Sequence, residues 1–214
     1  MKSVTVRFFL LVFYLVTIPG CGRLIDWGKD ALYQGETLTI DTAVAKKNIK
    51  SVAVYDQFTT QAIFDALFLS DDVRTACANV YARKWGKDKD QYTAFLRRQL
   101  EENKHYISFY VLSLYEKPLG ESTSEWALFL RIDDKDMVPF EVKSIDMPPE
   151  YELLFGKRFN QFKIAYSVKF SMRDGEDNLV VSLNTKQIAL VFRSMDKEVV
   201  LAWNSGRETV GCVK

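Results

Sequence analysis

The clearest alternation of apolar and polar positions runs from Phe162 to Met172, FKIAYSVKFSM. Phe162, Ile164, Tyr166, Val168, Phe170 and Met172 alternate with Lys163, Ala165, Ser167, Lys169 and Ser171. A period of two predicts a strand with one core face and one wet face. Asp174-Gly175 predicts a turn, with Leu179 to Leu183 pairing back. A second hairpin is expected from Ile188 to Arg193 and Glu198 to Trp203, joined through Ser194-Met195-Asp196-Lys197. YISFYVLSLY, from Tyr106, is apolar on both faces and reads as a buried central strand. After a turn carrying Pro118 and Gly120, WALFLRI (Trp126 to Ile132) gives another strand. Met137 to Ile145 alternates with Val138, Phe140 and Val142 inward, and Pro139 places it at an edge. Met147-Pro148-Pro149 reads as a stiff corner.

Earlier in the chain the period lengthens. Glu36 to Asp41 alternates weakly, and Ile49 to Tyr55 reads as a better strand. In TQAIFDALFL, Ile63, Phe64, Leu67 and Phe68 recur at helical spacing behind Thr59 or Thr60 as a cap. Ser70 with Asp71 and Asp72 predicts a fresh helix start, running to about Lys84 and burying Val73, Ala76, Cys77 and Val80, with Gly86 as its stop. A third helix from about Asp88 to Lys104 puts Tyr92, Phe95, Leu96 and Leu100 on one face. The expectation is therefore an α+β fold: a mainly antiparallel, β-sandwich-like body with an inserted block of about three helices over 59–104. One domain spans 49–204, followed by a tail over 205–214 and preceded by an anchor-proximal segment over 21–48 that holds a short amphipathic stretch at Gly22 to Gln34.

The first twenty-one residues follow another logic. Lys2 and Arg7 precede an unbroken run from Phe8 to Ile18, relieved only by Thr17, and Pro19-Gly20 leads to Cys21. Eleven residues at about 1.5 Å each cover roughly half of a ~30 Å hydrocarbon core, which suits a secretory signal over 1–20 rather than a spanning helix. The ending IPGC resembles the lipobox of bacterial lipoprotein precursors, with Ile18 three before the cysteine, Pro19 where a small residue is usual, then Gly20 and Cys21. That resemblance implies that Cys21 becomes the first mature residue and carries a diacylglycerol thioether and an N-acyl chain such as palmitate. Several chains, at about 0.8 kcal/mol per buried methylene, make such an anchor effectively permanent. Gly22 follows the cysteine, where an Asp would be the usual inner-membrane retention signal. The expected location is the cell envelope, on the periplasmic side of the outer membrane.

Lys2 and Arg7 are the only charges in the first twenty residues, so the net charge of +1 falls to about −1 when two bases leave with the signal. This balance, with both signs interspersed, gives no footprint for nucleic acid. With Cys21 acylated, Cys77 and Cys212 remain as a pair, and an oxidising compartment permits a disulfide between them. The other reading has Cys77 as a buried small apolar residue and Cys212 in a frayed tail.

Candidate chemistry is sparse. His105, the sole histidine, is expected at a helix-to-strand junction as a cap rather than a ligand or base. The acidic turns at 133–136 and 174–178 are expected as backbone turns rather than calcium loops. Arg83, Lys84, Lys87 and Lys89 form a basic knot around Trp85. It reads either as a contact for anionic headgroups or polymer, or, preferred, as a solvated turn with Trp85 on the core. Trp126 and Trp203 are expected in the core. No catalytic, cofactor or metal residues are assigned. The leading expectation is a non-enzymatic, lipid-anchored envelope protein that binds another envelope protein or polymer. The alternatives are a small-molecule or glycan binding module and, last, a carboxylate-dependent hydrolase.

Overall fold

The computed structural model describes residues 43–57, 59–115, 117–133, 135–175, 178–181 and 185–204. A helical stretch over 43–48 leads into β1 (Ile49–Asp56) and β2 (Thr59–Phe68). Helices α1 (Asp71–Trp85) and α2 (Lys89–Glu102) follow, then β3 (Tyr106–Leu114), β4 (Ala127–Ile132), β5 (Lys135–Met137) and β6 (Glu141–Ser144). Helix α3 (Pro149–Phe155) and a 3-10 turn at Gly156–Arg158 precede β7 (Ile164–Ser171), β8 (Gln187–Arg193) and β9 (Glu198–Asn204). The strands form a five-stranded sheet, β1-β2-β3-β7-β6, and a four-stranded sheet, β5-β4-β8-β9. Every pairing is antiparallel.

Two cores result. Between the sheets, Phe64, Phe109, Val168 and Phe170 meet Leu130, Leu190, Phe192 and Trp203. Phe64 stacks on Phe192 with centroids 4.2 Å apart and takes the edge of Trp126 at 5.4 Å. Each such side chain contributes about 1.5–3 kcal/mol through burial. On the other face of the five-stranded sheet, Ile49, Leu67, Leu112 and Ala165 pack against Val73, Cys77 and Val80 of α1 and Tyr151, Leu154 and Phe155 of α3. The body is thus three layers, helices on a two-sheet sandwich, and the α+β expectation holds. The chain passes directly from β5 in one sheet to β6 in the other. On the opposite side β1 lies beside β9, where the Trp203 indole donates to the Asn48 carbonyl at 2.6 Å and Lys197 Nζ to the Tyr55 carbonyl at 3.1 Å.

Several expectations change. Thr59–Phe68 is a strand, not a helix, so the described helical insertion is a two-helix hairpin over 71–102. Ala62, Phe64 and Ala66 face the inter-sheet core while Leu67 faces the helices. A strand apolar on both faces loses its period of two, and its residues fall by coincidence at helical spacing. Val138 and Phe140, expected inward, are 73% and 69% exposed, because Pro139 lies where the chain leaves one sheet for the other. The Met147-Pro148-Pro149 corner starts α3, with a proline in its first turn where a missing N–H goes unnoticed. The face of β7 read as wet is covered: Ala165 is buried, and Lys163 and Lys169 make ion pairs beneath the helical layer. Phe162, at the entry to β7, is 72% exposed and Ile164 40%. Leu179 pairs back only through a bridge to Arg173. The stretches read as a helix over 22–34 and a strand over 36–41 lie outside the described residues, as does part of 179–183.

Candidate functional site

The helical hairpin has both ends locally specified. Ser70 caps α1, its hydroxyl accepting from Val73 N at 3.4 Å, with Asp71 and Asp72 against the positive end of the helix. Gly86, at φ 57°, ends it in the left-handed conformation, and Lys87 N closes onto the Ala82 carbonyl at 2.9 Å. Asp88 then caps α2, accepting from Gln91 N at 2.8 Å. Caps at 86 and 88 leave little slack, so the turn between the helices is a defined knuckle.

Trp85 stands on this knuckle and is 54% exposed, which corrects the expectation that it packs on the core. The core beneath is already filled by Val80, Cys77 and Tyr151. The indole N–H donates to Glu150 Oε1 at 3.0 Å, and Glu150 is itself buried. Lys84 Nζ lies 5.4 Å from the indole ring. Next to it Tyr81 stacks on Phe95 at 4.3 Å, with Lys87 over Tyr81 and Arg98 over Phe95. Cations over aromatic faces are favourable and keep these long side chains on the rings rather than free in water.

Under the hairpin, Arg74 is 1% exposed. Its Nε donates to Asn103 Oδ1 at 2.6 Å, and Nη1 donates to Gln99 Oε1 at 2.7 Å and Glu102 Oε2 at 3.2 Å. Nη2 finds no partner among the described residues. Glu102 also receives Lys169 from β7 at 2.9 Å. Burial pushes the Glu102 carboxyl upward, but Lys169 and Arg74 outweigh it and hold it below the ordinary range. This network joins α1, α2 and the sheet. Nothing in the sequence separates Arg74 from the exposed arginines of the same hairpin, because a charged residue inside a helical run reads as surface.

Two other charged groups were not anticipated. Asp65, in the middle of β2, is 3% exposed and pairs with Lys163 at 2.5 Å and more distantly with Arg158 at 3.8 Å. On the second sheet Arg131, Asp136, Arg193 and Glu198 form a closed ring with contacts of 2.6–3.0 Å. Hydrogen bonds from Arg131 and Arg193 bring the Asp136 carboxyl down to about 2. Asp136 is therefore committed to two guanidinium groups. In the other acidic turn, Asn178 N donates to Asp174 Oδ1 at 2.9 Å.

Of the residues singled out from sequence, Cys21, Cys212 and Trp27 lie outside the described residues. Among the described residues Cys77 is a free, fully buried thiol, pushed up to about 12 by desolvation. Trp126 and Trp203 are in the inter-sheet core. His105 follows the end of α2, its backbone N donating to the Glu102 carbonyl at 3.1 Å and its ring 3.9 Å from Glu101. Among the described residues no three His, Cys, Asp or Glu side chains gather as a metal site, and no helix is long and apolar enough to cross a membrane. The chain matches no protein-family model, no curated protein and no solved structure. The knuckle, with its exposed tryptophan and its lysines, is the candidate site that both sequence and geometry single out.

Proposed function

We propose that this protein is an exported, lipid-anchored component of the bacterial cell envelope, held at Cys21 on the periplasmic side of the outer membrane. Its body works as a docking module rather than as a catalyst. The observation that carries the reading is the order of the first twenty-one residues: Lys2 and Arg7, eleven residues too short to span, then IPGC. The three-layer body supports a docking role, since a rigid double core holds exposed aromatic and apolar side chains such as Trp85, Phe140 and Phe162 in fixed places. The partner is another envelope protein or polymer, or the membrane itself.

Replacing Cys21 with Ser tests the anchor. The native chain is expected in the membrane fraction, labelled by radioactive palmitate; Cys21→Ser is expected unlabelled and released from membranes. A variant that stays membrane-bound with an unchanged N-terminus overturns the lipoprotein assignment.

A further inference from the structure

Charge is segregated along the helical hairpin. Residues 81–98 carry six basic side chains, Arg83, Lys84, Lys87, Lys89, Arg97 and Arg98, against two acids, Asp88 and Asp90. The opposite end holds four acids, Asp71, Asp72, Glu101 and Glu102, against two bases, Arg74 and Lys104. In α1 this order suits the helix dipole; in α2 it opposes it, with Lys89 at the first position and two glutamates in the last turn. Helix stability therefore accounts for Arg83 and Lys84 at the end of α1 and for Asp88 and Asp90 at the start of α2, but not for Lys87 or Lys89. Glu102 is drawn to its place by Arg74 and Lys169; among the described residues the knuckle lysines have no such carboxylate partner, Lys84 and Lys87 lying instead over the Trp85 and Tyr81 rings. At that same end an indole is held half in solvent by a buried carboxylate. Leaving a tryptophan face in water forgoes burial that a contact would recover.

We propose that the knuckle is a second membrane contact. Trp85 enters the headgroup–acyl boundary of a bilayer, and Lys84, Lys87 and Lys89 meet its anionic headgroups. An indole with a fixed polar end, with Lys84 at 5.4 Å from its ring and Lys87 and Lys89 on the following turn, has the chemistry of the membrane–water interface. A basic side chain near an anionic surface gains about 1 kcal/mol, roughly fivefold in partitioning. The choice of a bilayer over other anionic surfaces rests on the proposed lipid anchor. The 22 residues from Cys21 to position 42 reach at most roughly 75 Å when extended, so the anchored membrane is the surface within range.

The test uses the chain from residue 21 with Cys21→Ser, produced without signal or acyl groups. Both cores are built from residues 45–203, so this chain keeps all of the folding unit. Co-sedimentation is measured with vesicles of phosphatidylcholine alone and of equal parts phosphatidylcholine and phosphatidylglycerol. Binding is expected to the anionic vesicles only and to weaken with salt. Trp85→Ala is expected to reduce it about tenfold. Lys84→Gln with Lys87→Gln is expected to reduce it about 25-fold, at fivefold per lysine. Lys143→Gln with Lys186→Gln, exposed bases elsewhere on the body, is expected to leave it unchanged. Equal binding to both vesicle types, no binding, or undiminished binding of the knuckle variants overturns the proposal. So does retention of the native chain, but not of the knuckle variants, on a soluble anionic polymer in the absence of vesicle binding. Because no acyl group is present, this experiment and the Cys21 fractionation succeed or fail independently.

Discussion

Cys77 and Arg74 sit one helical turn apart on α1 and are both fully buried, yet they behave in opposite ways. Cys77 acts as a small apolar group. Its thiol, pushed up to about 12 by burial, carries almost no thiolate at neutral pH. Iodoacetamide at pH 8 is therefore expected to spare Cys77 in the folded chain and to label it fully after urea unfolding without reductant, as read by peptide mapping. A Cys77 that stays unlabelled in urea until reductant is added would show a disulfide instead. Arg74 is a charge whose burial is tolerated only through Gln99, Glu102 and Asn103. Arg74→Met leaves those acceptors without their donor and is expected to lower unfolding stability by about 3 kcal/mol, measured by urea titration. Lys104→Ala, which removes the exposed pair with Glu101, is expected to change it by less than about 1 kcal/mol. A smaller loss for Arg74 than for Lys104 would contradict the reading of Arg74 as the joint between helices and sheet.

At the scale of elements, legibility followed the local signals of caps, turns and period. The hairpin β8–β9, the central strand β3 and both long helices were readable because caps, turns or a clean period mark them: Ser70, Gly86 and Asp88 for the helices, Ser194 to Lys197 for the hairpin. β2, buried on both faces like β3, reads as a helix because Ile63, Phe64, Leu67 and Phe68 also fall at helical spacing behind a threonine. Strand pairing also creates chemistry that sequence spacing hides. The register pairs Arg131 with Asp136 across β4–β5 and Arg193 with Glu198 across β8–β9, and the long side chains of these two pairs reach each other over the sheet face. The resulting ring has a pH signature. Asp136 titrates at about 2 in the folded protein against an ordinary aspartate near 3.9. Its folded-state pKa is depressed, so its contribution is complete above about pH 4 and is lost as pH falls toward 2. The urea midpoint is expected to fall over that window, and Asp136→Asn is expected to flatten the fall. An identical acid profile in the variant would remove the ring from the account.

For the molecule as a whole, the hydrophobic pattern and turn chemistry were enough to specify an α+β, antiparallel, sandwich-like body. The first twenty-one residues alone carry the proposed export and lipidation, because that proposal rests on the order of charge, apolar run and cysteine in the sequence itself. Where Trp85 would sit was not decidable locally. An aromatic among lysines is compatible with core or surface, and the outcome depended on whether the space under α1 was already occupied. It was filled by α3, an element that the sequence presented as a corner. The same holds for Asp65, Lys163 and Arg74, charged residues that become buried only because distant segments pack over them. Local pattern therefore determined most of the elements and carries the proposed address. Tertiary packing decided which faces were covered, which charges were paired, and that a tryptophan and its lysines remain outside. Burial is a property of what lies across the gap, and that is contributed by residues far away in the chain.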